Sequence, residues 1–199
     1  MEKMSEEDNR ALSELVDEIY WLRCEFAYES LVLPDALQYK TFPKSRRRFA
    51  DEQIKRIQLS AGGKVAAAYA DTSYLSLNHS SKRLGIPHSD EESWKIENKV
   101  VRHASEERFA LRRAASYEAD VLEAHLTGHE AKKVQVILFE QAARLREAAK
   151  GEAYKLGLWV QTYERAEGME ERSGKHALRA LGMDELLTNH GYATSVASR

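Results

Sequence analysis

The sequence has little cysteine, proline or glycine. Its 199 residues include one cysteine, three prolines and ten glycines. The single thiol, Cys24, excludes an internal disulfide and a cysteine-rich zinc site, as is typical of proteins in a reducing compartment. Cys24 has apolar neighbours and is predicted to be packed. Because proline and glycine interrupt helices most strongly, their scarcity favours long helical elements.

Long hydrophobic runs are absent as well. Nowhere do about 18 apolar residues follow one another, so the sequence predicts no membrane-spanning helix and no membrane partner. The first ten residues are acidic and polar, unlike a secretory signal peptide. We therefore expect a cytoplasmic protein. Charged residues make up 31% of the chain, above the usual share of about 25%, which indicates the large solvated surface of elongated helices.

Charge is distributed unevenly over the first 64 residues, although the whole chain carries only −2. Residues 1–39 contain ten acids and three bases, whereas residues 40–64 contain eight bases and two acids. Such a reversal creates a local electric field that acts on binding partners more than on the fold. This reversal is the strongest functional indication in the sequence.

The basic segment, residues 40–64, has the composition of a nucleic-acid contact. Cationic side chains neutralise phosphates, and the neighbouring aromatic residues can stack on bases. The predicted contact residues are Lys40, Lys44, Arg46, Arg47, Arg48, Lys55 and Arg56. An equally open interpretation is that the segment packs on the acidic first helix as a solvated network of weak ion pairs. Individually, Tyr39, Phe42 and Phe49 are predicted to be core residues.

Helical patterns dominate the N-terminal half. Ser5 followed by Asp8 predicts an N-cap, and an apolar seam with spacings of three and four residues follows it. The seam consists of Leu12, Leu15, Ile19, Leu22 and Phe26. Two heptads are too few to indicate a coiled coil, so we favour a bundle helix that ends at Pro34. The pair Gly62-Gly63 predicts the end of a second helix.

The fold prediction is mainly α, an elongated helical bundle with long amphipathic helices and a small C-terminal helical hairpin. Residues 78–89 are rich in Ser, Asn, Gly and Pro and form the clearest predicted loop. This loop separates the N-terminal helices, residues 1–77, from the long helices and C-terminal cap, residues 90–199, within one cooperative unit. The first of those long helices is predicted to begin at Ser89 or Asp90 and to extend as far as residue 127.

Two stretches leave a strand–helix–strand unit open as an alternative. Residues 134–139 and 158–163 are rich in β-branched and aromatic side chains and flank a strongly helical segment. We favour helices because the sequence offers no further strands to complete a sheet.

No motif supports a catalytic residue, a metal ligand or a cofactor. Gly62-Gly63-Lys64 lacks the upstream glycine and the hydroxyl residue of a phosphate-binding loop. His125 and His129 have the spacing of two metal ligands on a helix, but Thr127-Gly128 between them predicts a break. The sequence therefore predicts a protein without catalytic site, metal or cofactor.

Arg83 and His88 are separated by four residues, Leu-Gly-Ile-Pro. This Arg-x4-His spacing is similar to the motif of the all-helical HEPN ribonucleases, in which the pair acts on an RNA phosphate. The resemblance covers six residues and implies a ribonuclease that uses Arg83 and His88. In that family the intervening residues are helical, whereas Gly-Ile-Pro predicts a loop here.

The sequence favours a non-enzymatic helical assembly or scaffold subunit. Its helix seams would bind protein subunits in an oligomer or complex, and its basic segment would face the backbone of RNA or DNA, as in the helical subunits of ribonucleoprotein complexes. Two alternatives stay open: a purely protein-binding structural component and the helical ribonuclease.

Overall fold

The structure, a computed structural model, describes residues 4–37, 42–86, 93–126 and 132–156. All elements in these ranges are helical, which confirms the mainly α fold. The α-helices are α1 (Glu6–Leu37), α2 (Arg47–Ala61), α3 (Val65–Ala68), α4 (Tyr74–Arg83), α5 (Lys99–Ala124) and α6 (Lys132–Glu147). Two 3₁₀ turns, Lys44–Arg46 and Ser93–Lys95, and one π-helical turn, Ala148–Glu152, complete them.

α1 begins at the predicted cap. The backbone N–H of Asp8 donates a 3.0 Å hydrogen bond to Ser5 Oγ, which satisfies one of the unpaired donors of the first turn. The predicted seam lies in the chain's own core, where Ile19, Leu22 and Phe26 are almost fully buried. The bundle-helix interpretation of this seam is confirmed.

The end of α1 was predicted wrongly. Pro34 lies inside the helix, which continues to Leu37. Proline removes one backbone donor and crowds the preceding turn, but here it stands in the last turn, where Leu33, Ala36 and Leu37 are buried. Burial of these side chains holds the final turn in helical form.

The predicted loop over residues 78–89 is partly helical. α4 continues to Arg83, and the chain turns only at Gly85, whose φ is +69°. The composition of this region was misleading because Ser80 and Ser81 are buried in the fold. Ser81 Oγ, for example, donates a 2.8 Å hydrogen bond to the carbonyl of Leu77 one turn earlier. Residues 87–89 lie outside the described residues.

α5 is shorter than predicted. Ser89 and Asp90, the predicted caps, lie outside the described residues, and the helix begins at Lys99. Its cap is Asn98, whose side-chain oxygen accepts hydrogen bonds from the backbone N–H groups of Val100 and Val101 at 3.0 and 3.4 Å. This amide supplies the acceptor that the first turn requires.

Residues 134–139 belong to α6 and do not form a strand. These residues lie within a continuous helix in which Val134 and Leu138 face the core and Val136 and Phe139 face solvent. Packing on the bundle therefore overrides the β propensity of the segment. The second candidate strand, residues 158–163, and the C-terminal hairpin lie outside the described residues.

The long helices α1 and α5 pack against each other along the bundle. α2 packs on α1, α6 packs on α5, and α4 lies on a further side of α5. Fully buried side chains from four of these helices form the core: Leu22, Phe26, Ile57, Leu111, Leu122, Leu138 and Leu145. Over the described ranges, none of the helices combines the length and apolar character that crossing a bilayer requires.

Candidate nucleic-acid interface

The basic segment forms the 3₁₀ turn Lys44–Arg46 followed by α2. α2 buries one stripe of side chains against its neighbours: Ala50, Gln53, Ile54, Ile57, Ser60 and Ala61. Most of the predicted contact residues therefore lie on the opposite, solvated face. The side chains of Lys44, Arg47, Arg48 and Lys55 are exposed there, and Arg48 Nε lies 3.0 Å from Glu52 one turn further along.

Arg46 and Arg56 differ from these four bases because they contact α5. Arg46 Nη1 donates a 2.8 Å hydrogen bond to the carbonyl of Ala124, the last residue of α5. Arg56 donates two hydrogen bonds to the Glu118 carboxylate, at 2.6 and 3.1 Å, and its side chain is only 18% exposed. Burial opposes the charge of Arg56, but Glu118 outweighs this effect and raises the pKa of Arg56. Lys40 lies outside the described residues.

The carboxylate of Glu118 is the centre of a buried polar network. Besides Arg56, it accepts a 2.8 Å hydrogen bond from the hydroxyl of Tyr69. Gln53 Nε2 donates to the Glu118 carbonyl at 3.2 Å, and Gln53 Oε1 lies 3.0 Å from Nε2 of the buried His125. This network links α2 to the C-terminal half of α5, so the basic face is held rigidly against the bundle.

Three acidic residues of α1, Glu18, Glu25 and Glu29, lie near arginines of α5 and α6. Glu18 lies 3.5 Å from Arg108 and 3.3 Å from Arg112, and Glu25 accepts two hydrogen bonds from Arg144. Across residues 4–37 and 42–64, no ion pair joins α1 to the basic segment. α2 packs on α1, but their opposite charges do not pair. The positive charge of the exposed bases is therefore not neutralised by α1.

The three aromatic residues near the basic segment do not share one environment. Phe42 is buried, with 1% of its surface exposed, as predicted, and its ring packs edge-on against His125. Phe49 is 61% exposed, so its prediction as a core residue is wrong. It precedes Ala50 of the buried stripe by one residue, a rotation of about 100° around the helix, which places its ring outside the core. Tyr39 lies outside the described residues.

A cavity of about 820 Å³ opens beside the exposed bases, between α2 and the C-terminal half of α5. We call it the α2–α5 cavity. Its lining combines cationic, aromatic and small apolar side chains, among them Arg46, Phe49, Lys55, Leu59, Tyr117 and Val121. The contribution of α5 could not be predicted from the sequence, because Tyr117 and Val121 are separated from the basic segment by more than fifty residues and reach it only through the fold.

Of the residues considered for catalysis or metal binding, the structure describes Arg83 and His125. Arg83 is the last residue of α4 and lies 3.4 Å from Asp120, whereas His88 is outside the described residues. His125 is buried against Gln53 and Phe42, and His129 is also outside the described residues. Within the described part of the chain, no group of three or more His, Cys, Asp or Glu side chains is placed to hold a metal.

Comparisons with protein-family models, with curated proteins and with solved structures find no match for this chain. The residues and geometry of the α2 face therefore carry the functional argument.

Proposed function

We propose that this chain is a non-enzymatic helical assembly subunit that contacts the phosphate backbone of nucleic acid through the exposed face of α2. The observation that carries the proposal is the exposure of Lys44 in the 3₁₀ turn and of Arg47, Arg48 and Lys55 on α2, with the exposed ring of Phe49 and a cavity that Lys55 helps to line. Contacts of this kind release counterions from the nucleic acid and position it without reading its sequence.

The rigid attachment of α2 supports this proposal. Arg46 and Arg56 hold the α2 region to α5, so the four exposed bases occupy fixed positions relative to the cavity. A preorganised cationic surface loses less conformational entropy on binding than bases on an unstructured arm.

The assembly part of the proposal is supported by a second surface. On α6, Val136 and Phe139 are 46% and 57% exposed, three residues apart on one helical face. Large apolar side chains exposed in this spacing are typical of helix faces that bind another helix. The alternative of a purely protein-binding component would use this face and not the α2 face.

Charge reversal tests the proposal. The triple substitution Arg47→Glu, Arg48→Glu, Lys55→Glu is expected to weaken binding of RNA or DNA oligonucleotides at least 10-fold at moderate salt, because about three phosphate contacts are lost. Fluorescence anisotropy measures the affinity. The matched control is Arg10→Glu with Lys99→Glu, two exposed bases at the opposite end of the bundle, where Asn98 contacts Asp8. The control should bind like the wild type.

Three results would count against the proposal. Equal affinity of the triple variant and the wild type would contradict it, and absence of binding by the wild type would leave the purely protein-binding alternative. Cleavage of single-stranded RNA by the wild type that is lost in His88→Ala would favour the ribonuclease alternative.

A further inference from the structure

A second cavity adjoins the α2–α5 cavity. It has a volume of about 710 Å³ and lies between α4 and α5, and we call it the α4–α5 cavity. The two cavities share four lining residues, Ser76, Tyr117, Val121 and Ala124. They therefore adjoin each other on α5, with Tyr117 between them, and we call the two together the groove.

The bottom of this groove is more apolar than a phosphate backbone requires. Leu59, Ala68 and Val121 line it together with the rings of Phe49 and Tyr117. The nucleobases of a duplex are stacked inside the double helix and cannot reach such a surface, whereas unpaired nucleobases can stack on exposed aromatic rings. Each cavity also falls within the range of about 300–1,000 Å³ that small-molecule sites occupy. The groove thus fits single nucleotides better than a double helix.

Exposed bases lie along both parts of the groove. The exposed Lys55 and the half-buried Arg46 line the α2–α5 cavity together with the acids Glu52 and Asp71. The exposed Lys82 and His79 line the α4–α5 cavity together with Asp120. Residues 44–55 and 71–83, together with Asp120, contain seven bases and four acids. The excess of three positive charges lies in residues 44–55, whereas residues 71–83 and Asp120 balance two bases against two acids. The groove therefore offers a basic α2 edge to phosphates, and Lys82 adds one exposed cation at the α4 part.

We propose that the groove binds a single-stranded polynucleotide, with its phosphates along the lysines and arginines of α2 and Lys82 of α4 and with unpaired nucleobases against the exposed ring of Phe49. This inference rests on the proposed function and narrows its ligand class from nucleic acid in general to single strands. RNA and DNA share the chemistry that the groove recognises.

The first test compares a single strand with an abasic strand that has the same number of phosphates and with a duplex of the same length, which has twice that number. Oligonucleotides of about 12 nucleotides are prepared as a single strand, as an abasic strand and as a duplex, in ribose and deoxyribose forms where possible. We expect the base-bearing single strand to bind at least 5-fold more tightly than the abasic strand and the duplex, because each stacked base contributes to affinity. Fluorescence anisotropy at a fixed salt concentration gives the comparison.

The second test removes the exposed ring. Phe49→Ala is expected to weaken binding of the base-bearing strand about 5-fold or more and to leave binding of the abasic strand unchanged. Tyr154→Ala, which removes a 45% exposed aromatic ring outside both cavities, is the control and should bind like the wild type. Both side chains face solvent, so both variants are expected to fold.

The third test examines whether the two cavities act as one groove. Affinity should rise as the strand is lengthened from about 4 to about 12 nucleotides. Lys82→Glu should weaken binding of the longer strand but not of the shorter one, whereas Lys55→Glu should weaken both. An affinity that stops rising at the shorter length, or a Lys82→Glu variant that binds long strands normally, would overturn the continuous groove.

The outcomes separate this inference from the proposed function. If the abasic strand and the duplex bind as tightly as the base-bearing strand, and the α2 triple variant still loses affinity, the single-strand inference is wrong while the proposed function stands. If the wild type binds none of the ligands, both are wrong.

Discussion

Among single residues, Glu29 of α1 has the least usual environment. Its carboxyl group is fully buried, next to Glu25 and 3.8 Å from Arg144 of α6. Burial raises the pKa of Glu29 well above its ordinary value, and the charge of Glu25 raises it further, while Arg144 opposes both. Arg144 makes its two short hydrogen bonds, at 2.9 and 2.6 Å, with Glu25. We infer that Glu25 carries the negative charge and that Glu29 is protonated.

Glu29→Gln is expected to raise the free energy of unfolding near neutral pH. The folded state holds the Glu29 proton more tightly than the unfolded chain does. The resulting stabilisation is complete below the unfolded pKa, about 4.3, and is lost as the pH rises through the higher folded-state pKa. Glutamine has a similar shape, can still form hydrogen bonds and does not titrate. In Glu29→Gln the loss of stability with rising pH should therefore disappear. Urea unfolding over a pH series measures the effect.

Glu25→Gln is the control for this prediction. It removes the carboxylate that makes both short hydrogen bonds to Arg144, so it should lower stability near neutral pH. If Glu29→Gln destabilised the protein as much as Glu25→Gln at that pH, the assignment of the proton to Glu29 would be wrong.

Gly63→Ala is expected to destabilise the protein more than Gly85→Ala. Both glycines have φ near +70°, which costs a side chain about 1 kcal/mol. A Cβ at Gly63 would also overlap the guanidinium of Arg23, which is buried and paired with Glu107, whereas a Cβ at Gly85 would meet nothing within 4 Å. Thermal unfolding of the two variants measures the difference. Equal shifts in melting temperature would show that Arg23 moves aside at no cost.

At the scale of elements, the pair Arg56 and Glu118 joins α2 to α5. Arg56→Met leaves the buried Glu118 carboxylate without its cation, so we expect the free energy of unfolding to fall by about 3 kcal/mol. Lys55→Met, at the neighbouring exposed position, is the control and should change stability by no more than about 0.5 kcal/mol. Chemical denaturation measures both. A loss below about 1 kcal/mol for Arg56→Met would mean that the pair does not anchor α2.

Elements that are determined by neighbouring residues could be predicted from the sequence, whereas elements that depend on tertiary contacts could not. The seam of α1 is a local periodic pattern, and the glycine pair at the end of α2 is a local signal for helix termination. Both were predicted. The helical state of residues 78–83 was not predictable from composition, because it depends on burial of Ser80 and Ser81 against the bundle. Tertiary contacts override local propensity in such segments.

The candidate interface shows the same division. The basic residues of α2 were predicted from the charge pattern alone, but the sequence could not show that Arg56 forms an ion pair with Glu118. Nor could it show that Phe49 faces solvent while Phe42 is buried. The contribution of Tyr117 and Lys82 arises from helices that meet only in the folded bundle.

For the whole molecule, the arrangement of the helices separates the two charged surfaces. Three acids of α1, Glu18, Glu25 and Glu29, lie against arginines of α5 and α6, whereas the bases of α2 project from another side. The net charge of −2 therefore hides a basic surface that the fold leaves exposed. Electrostatic surfaces of this kind act on association with charged partners and are sensitive to salt.

The most direct measurement of the central claim is the salt dependence of binding. If Lys44, Arg47, Arg48 and Lys55 contact phosphates, log K for a single strand should fall with log[salt] with a slope of about −3, since each contact contributes about −0.7. The variant with three of these bases reversed should show a slope no steeper than about −1. A wild-type slope near zero, or equal slopes for the wild type and the variant, would contradict the account.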